Sequence, residues 1–181
     1  AAMARAMRSP FEVTGAAHAP ARGLTFLRLA GFEASVRYRV ERLQGLFADS
    51  GAALDVVGRD ASQALWRALR DVASFQGSAG DVWRVPCRTS TAPTLAAQAG
   101  AEAHLFAWAG ALLWLRMAPG TDLRARLGRY DGHATLVRAD AETFARLPRQ
   151  EPEPAGIARL SAGLRAQFDP SGLFSGAERP A

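Results

Sequence analysis

The chain has 181 residues, 49% of them hydrophobic, the length and composition of one good-sized folded domain or two small ones. Its formal net charge is +5 and all 22 basic residues are Arg; with no Lys, Schiff-base chemistry and Walker-type phosphate binding are excluded within these residues. A single cysteine, Cys87, rules out an internal disulfide, and His18, His104 and His133 share no metal-ligand spacing.

Residues 1–9 read as the tail of a helix, which predicts a piece cut from a longer chain. "FEVTGAAH" (11–18) and "LTFLRLAG" (24–31) read as strands joined by a turn at Pro20–Gly23. The second is apolar on both faces apart from Arg28, which predicts a central strand. "FEASVRYRVERLQGLFAD" follows as a helix with Val36, Val40, Leu43 and Phe47 on one stripe and an Arg37–Glu41 pair on the other side. Gly51 ends it. "ALDVVG" (53–58) reads as the next strand, and Asp60 with Gln63 forms a capping-box pattern opening a helix that carries Leu65, Leu69 and Val72. The first part therefore reads β-β-α-β-α.

After the loop "FQGSAGD" (75–81) the pattern is cleaner. "DVWRVPC" is a strand, and "TAPTLAAQAG" is a helix with Pro93 in its first turn and Gly100 past its end. "AHLFAWAG" and "ALLWLRMA" form a hairpin, "GTDLRARLGRY" a short helix and "GHATLVRA" a strand. The order βαββαβ is the ferredoxin-like arrangement, an antiparallel sheet with helices on one face, so the fold class is α+β. "RLPRQEPEPAG" (146–156) is a linker, and the last helix puts Ile157, Leu160, Leu164 and Phe168 on one stripe before Pro170 stops it. No apolar run is long enough for a transmembrane helix, and the N-terminus lacks an apolar signal core. The arginines are scattered among acids and form no stripe, so no nucleic-acid surface is expected.

Five stretches, taken in order, resemble one family: "LRLAGFEASVRYRVERL" (27–43), "VWRVPC" (82–87), "FAWAGALLWLRM" (106–117), "DGHATLVRA" (131–139) and "LRAQFDPSGLFSGAER" (164–179). They are similar to the C-terminal half of the FAD-binding subunit of bacterial glycolate oxidase, within the vanillyl-alcohol oxidase type of FAD-linked oxidases. The resemblance implies a single cap domain over 1–181, made of a first part (11–74), the ferredoxin-like part (81–139) and a C-terminal helix with a docking loop (155–181). It implies that FAD is gripped mostly by an N-terminal domain outside this chain, and that the isolated chain does not turn over. It also implies a small 2-hydroxy acid as substrate and, as partners, the N-terminal FAD-binding domain, a second flavin subunit and an iron–sulfur subunit. The location implied is cytoplasmic, or peripheral at the inner membrane through those subunits. The chain carries Leu113 where the family's hairpin has an Arg, which implies a lost carboxylate clamp.

Within that resemblance Trp83, Trp108 and Trp114 are candidates to line a flavin-facing pocket, with Arg84 and Arg116 holding an anion. Along the strands Trp108 shares a face with Phe106, and Trp114 with Leu112. The plain alternative is sheet packing with snorkelling arginines. Arg28 needs a partner if buried, either a ligand or Glu12 on the neighbouring strand. His133, at the start of a strand, is the candidate base; His104 is a weaker case, and His18 is expected to sit exposed in a loop. Phe174 and Arg179 are candidates to reach the flavin side, and Leu173 to dock across the domain boundary. The competing reading is a non-catalytic assembly module or a small-molecule-binding ferredoxin-like domain.

Overall fold

The computed structural model describes residues 2–174. Six strands form one sheet: β1 (Gly15–Ala19), β2 (Leu24–Arg28), β3 (Asp81–Pro86), β4 (Ala103–Ala107), β5 (Leu112–Met117) and β6 (Thr135–Arg138). Their order is β2-β1-β4-β5-β3-β6 and every pairing is antiparallel. The helices are α1 (Ala2–Met7), α2 (Glu33–Phe47), α3 (Arg59–Arg70), α4 (Ala92–Ala99), α5 (Leu123–Leu127), α6 (Ala141–Arg146) and α7 (Ala155–Phe168). This is the expected α+β class. Strands β3 to β6 with α4 and α5 make the ferredoxin-like unit, and the β1–β2 hairpin extends its sheet beyond β4.

Alternation along β3 explains the two cores. Trp83 and Val85 point to one side, where they meet Leu113, Leu115 and Leu136 from the sheet, Leu95 and Ala99 from α4, and Leu123 and Leu127 from α5. Each such buried side chain contributes about 1.5–3 kcal/mol. Ala6 of α1 and Leu43 and Phe47 of α2 form a further cluster with Leu27 of β2. Val82 points the other way, with Leu105 and Trp114, and meets Leu69 of α3 together with Val72 and Phe75 just after it. The ferredoxin-like helices α4 and α5 thus share one face, while α3 crosses the opposite one. Trp66 of α3 lies over Gly15, where an added Cβ would stand 3.3 Å from the ring.

Several local expectations are corrected. β2 is an edge strand, because among the described residues its only partner is β1 and the far side of β1 is taken by β4. Residues 53–58 form no strand: they pair with none of the six, and Val56 and Val57 stay exposed. α3 begins at Arg59 on Gly58 with no side-chain cap, so Asp60 sits in the first turn and acts only on the helix dipole. Arg37 pairs with Glu33 at 3.8 Å, not with Glu41. Arg28 is exposed, and the carboxylate of Glu12 goes to Arg39, 3.3 Å away.

Arg39 is the buried arginine of this part. It donates to the Ala30 and Ser35 carbonyls and to Glu12, fastening α2 to the segments flanking the β1–β2 hairpin. Other arginines act alike. Arg124 donates to the carbonyls of Ala134, Pro148 and Arg149, and Arg138 to those of Phe75, Ser78 and Gly80. In a chain without Lys, these planar five-donor groups serve as staples for backbone carbonyls.

The chain divides into two compact units, the division falling between Gln150 and Glu151, inside the proline-rich stretch. In the second unit α7 begins on Pro154, and Ser161 donates to Glu153. The apolar stripe of α7, Ile157, Leu160, Leu164 and Phe168, is exposed throughout. The helix ends at Phe168, before Asp169 and Pro170, and the Asp169 carboxylate accepts from the backbone N–H of Leu173 and Phe174. Among the described residues no helix is long and apolar enough to cross a membrane.

Candidate functional site

The sheet face away from α4 and α5 is only partly covered. α3 and residues 72–75 lie over Val82, Leu105 and Trp114. Beyond them, toward the β4–β5 turn, Arg84 and Trp108 come together: the Arg84 Cζ is 5.0 Å from the centroid of the Trp108 ring. Arg84 lies between Trp83 and Val85, both buried on the helix-covered side, so its side chain leaves on the open one. Trp114 is its direct neighbour on β5 and Thr135 on β6. Among the described residues no carboxylate lies within ion-pair distance of Arg84, whereas Arg88 and Arg116 each have one.

The route by which Trp108 reaches Arg84 breaks the strand pattern. Phe106 packs on the helix-covered face with Leu113, and simple alternation would put Trp108 beside it. Instead β4 ends at Ala107, and Trp108, Ala109 and Gly110 take φ values of 50°, 58° and 97°. This left-handed run carries the indole over β5 to Arg84 on β3, and leaves Trp108 62% exposed. Non-glycine residues held there are strained by about 1–3 kcal/mol each.

The other candidates scatter. Arg116 shares the face of Arg84 but turns to Glu102: its Nε is 3.4 Å from a carboxylate oxygen, an ion-pair separation without hydrogen-bond alignment. Trp83 belongs to the core, fully buried with the Arg124 guanidinium over its ring, and lines no open surface. Arg28, on the edge strand, is four strands across the sheet from Arg84 and several residues out of register with it. His133 is exposed in the link before β6, two residues from Thr135. Phe174 and Leu173 are exposed, and Arg179 lies outside the described residues. Leu113 is fully buried on the helix-covered face, so an Arg there would enter the core instead of the open face, and its replacement removes no clamp from the side of Arg84.

A second concavity lies on the helix-covered side, and sequence reasoning missed it. His18 is not in a loop but in β1, half-buried, with Nδ1 2.9 Å from Thr25 Oγ1. Phe106 stands beside it and makes an edge contact with His104, their ring centres 5.3 Å apart. His18 and Phe106 line a cleft of about 390 Å³ whose other walls are α1, the start of α4 and the β4–β5 turn. Burial, and secondly the nearby His18, hold the His104 imidazole below its ordinary pKa. No spacing rule joins His18 to His104; the antiparallel register of β1 on β4 does.

The comparisons add no relative: no family model, no curated protein and no solved structure matches this chain.

Proposed function

We propose that the chain is the cap domain of an FAD-dependent 2-hydroxy-acid oxidoreductase of the glycolate-oxidase type, with its open sheet face turned to the flavin ring. The observation that carries the reading is Arg84: a cation between the apolar Trp83 and Val85 of β3, with no carboxylate within ion-pair distance among the described residues, beside an exposed indole. An unpaired guanidinium on a sheet face is the donor set for a small carboxylate, which it grips with two parallel N–H bonds. The ordered sequence resemblance supports the same reading.

The residues present fit the ring side of FAD and not its diphosphate. The glycine-rich stretch 77–80 is no phosphate cradle, since it runs directly into strand β3 and opens no helix whose N–H groups could face a phosphate. Bound flavin supplies the hydride acceptor. Arg84 then orients the acid by its carboxylate, and Trp108 presents indole surface that excludes water around it. Partner subunits, and a location in the cytoplasm or at the inner membrane through them, belong to the same proposal.

The test is to produce the chain joined to its upstream FAD-binding domain and to follow the flavin absorbance without oxygen. Bleaching by glycolate or lactate is expected. A flavin-loaded protein that neither acid bleaches overturns the reading.

The exposed stripe of α7 favours a second reading, an assembly module that holds partner subunits. Leu160→Glu with Leu164→Glu would then abolish co-purification of the flavin and iron–sulfur subunits, while Arg84→Ala would change nothing.

A further inference from the structure

We propose that Trp108 is a positioning residue for Arg84, holding the guanidinium over the sheet so that its N–H edge faces an incoming carboxylate; this rests on the reading of Arg84 as the carboxylate-binding group. The Arg84 Cζ lies 5.0 Å from the Trp108 centroid, within cation–ring distance; a ring packed on the flat face of a guanidinium leaves the in-plane N–H groups free, which is the geometry a bidentate carboxylate needs. Arg84 has no acidic side chain among the described residues to do this work. Its only described cation–ring contact is Trp108.

The turn is fixed in the shape that delivers the ring. Trp108 and Ala109 both sit at positive φ without being glycine, the strained geometry that persists only where surroundings enforce it. What enforces it is visible on the other side of the sheet. Gly110 is buried, and a Cβ there would stand 3.1 Å from Thr89 Cγ2, so the backbone is seated against the segment leading into α4. The hydrogen bond from the Ala111 N–H to the Trp108 carbonyl closes the turn. With its backbone pinned from one face, the indole is presented on the other.

Two measurements test this. In the 181-residue chain, the Arg84 Nε–Hε proton resonance, identified by its loss in Arg84→Ala, is expected upfield of the remaining arginines through the ring current. Trp108→Ala moves it to the ordinary position, and Trp108→Phe restores part of the shift. In the flavin-loaded protein with its upstream domain, Trp108→Ala raises the KM for glycolate or lactate about fivefold with a smaller change in kcat, and Trp108→Phe recovers most of it. An Arg84 signal without ring shift, or one that Trp108→Ala leaves in place, overturns the inference. So does a KM that responds to Arg84→Ala and not to Trp108→Ala. A shifted signal with a KM indifferent to Arg84→Ala leaves the stack standing and overturns the functional reading of Arg84 instead.

Discussion

The Arg84 guanidinium lies over the Trp108 ring, 5.0 Å from its centroid, although β5 separates β3 from the strand that Trp108 follows. The contact exists because the chain leaves strand geometry at Trp108 and crosses to the open face. A cation with no acid beside it among the described residues and an exposed aromatic ring thereby settle each other on the open sheet face.

Strain in the turn can be relieved without touching either side chain. Ala109→Gly removes a Cβ at φ 58° and is expected to stabilise the chain by up to about 1 kcal/mol, offset in part by the greater freedom of glycine when unfolded. Urea denaturation of the two proteins measures it. Loss of stability in Ala109→Gly would mean that the left-handed turn is not strained.

The histidine cleft predicts a pH effect. The folded pKa of His104 is depressed, so its contribution to stability is present above the unfolded value of about 6.5 and is lost as pH falls through the folded one. Between pH 7 and 5 the wild type is expected to lose stability that His104→Phe retains. Parallel slopes of unfolding free energy against pH would contradict this.

Asp81 acts with the opposite sign. It is buried, and that burial raises its pKa against the lowering effect of the Gly120 N–H it accepts from. Its favourable contribution is therefore present below about pH 3.8 and is lost as pH rises through the folded value. At pH 7 Asp81→Asn, which can still accept from Gly120, is expected to be neutral or stabilising. Asp81→Ala orphans that N–H and costs about 1–3 kcal/mol. Thermal unfolding of the pair at pH 7 distinguishes them.

Much of this architecture was legible in the sequence, and the failures have definite causes. The β4–β5 hairpin and α4 declared themselves through period-2 alternation, Pro93 and Gly100. Alternation also located Arg84 on an apolar strand, but it put Trp108 beside Phe106, because no local pattern announces a left-handed backbone at a tryptophan and an alanine. The edge position of β2 was hidden for another reason. Leu27 and Leu29 are apolar because they pack in a cluster with residues of α2, not because strands lie on both sides. Which arginine takes Glu12 depends on how α2 approaches the hairpin, and that is a tertiary fact.

Arg39 offers a check on that last point. Arg39→Ala leaves the Ala30 carbonyl without its buried donor and is expected to cost about 1–3 kcal/mol. Glu12→Gln, at a largely exposed side chain, should cost under about 1 kcal/mol. Equal losses in denaturant titrations would contradict the asymmetry.

The most direct test of the proposal that Arg84 binds the carboxylate is the concentration of glycolate or lactate that half-bleaches the flavin when the chain is joined to the proposed upstream FAD-binding domain. Arg84→Ala is expected to raise it about tenfold or more, the loss of a charge-assisted pair, with the flavin still bound. A half-bleaching concentration equal to that of the wild type would contradict the assignment.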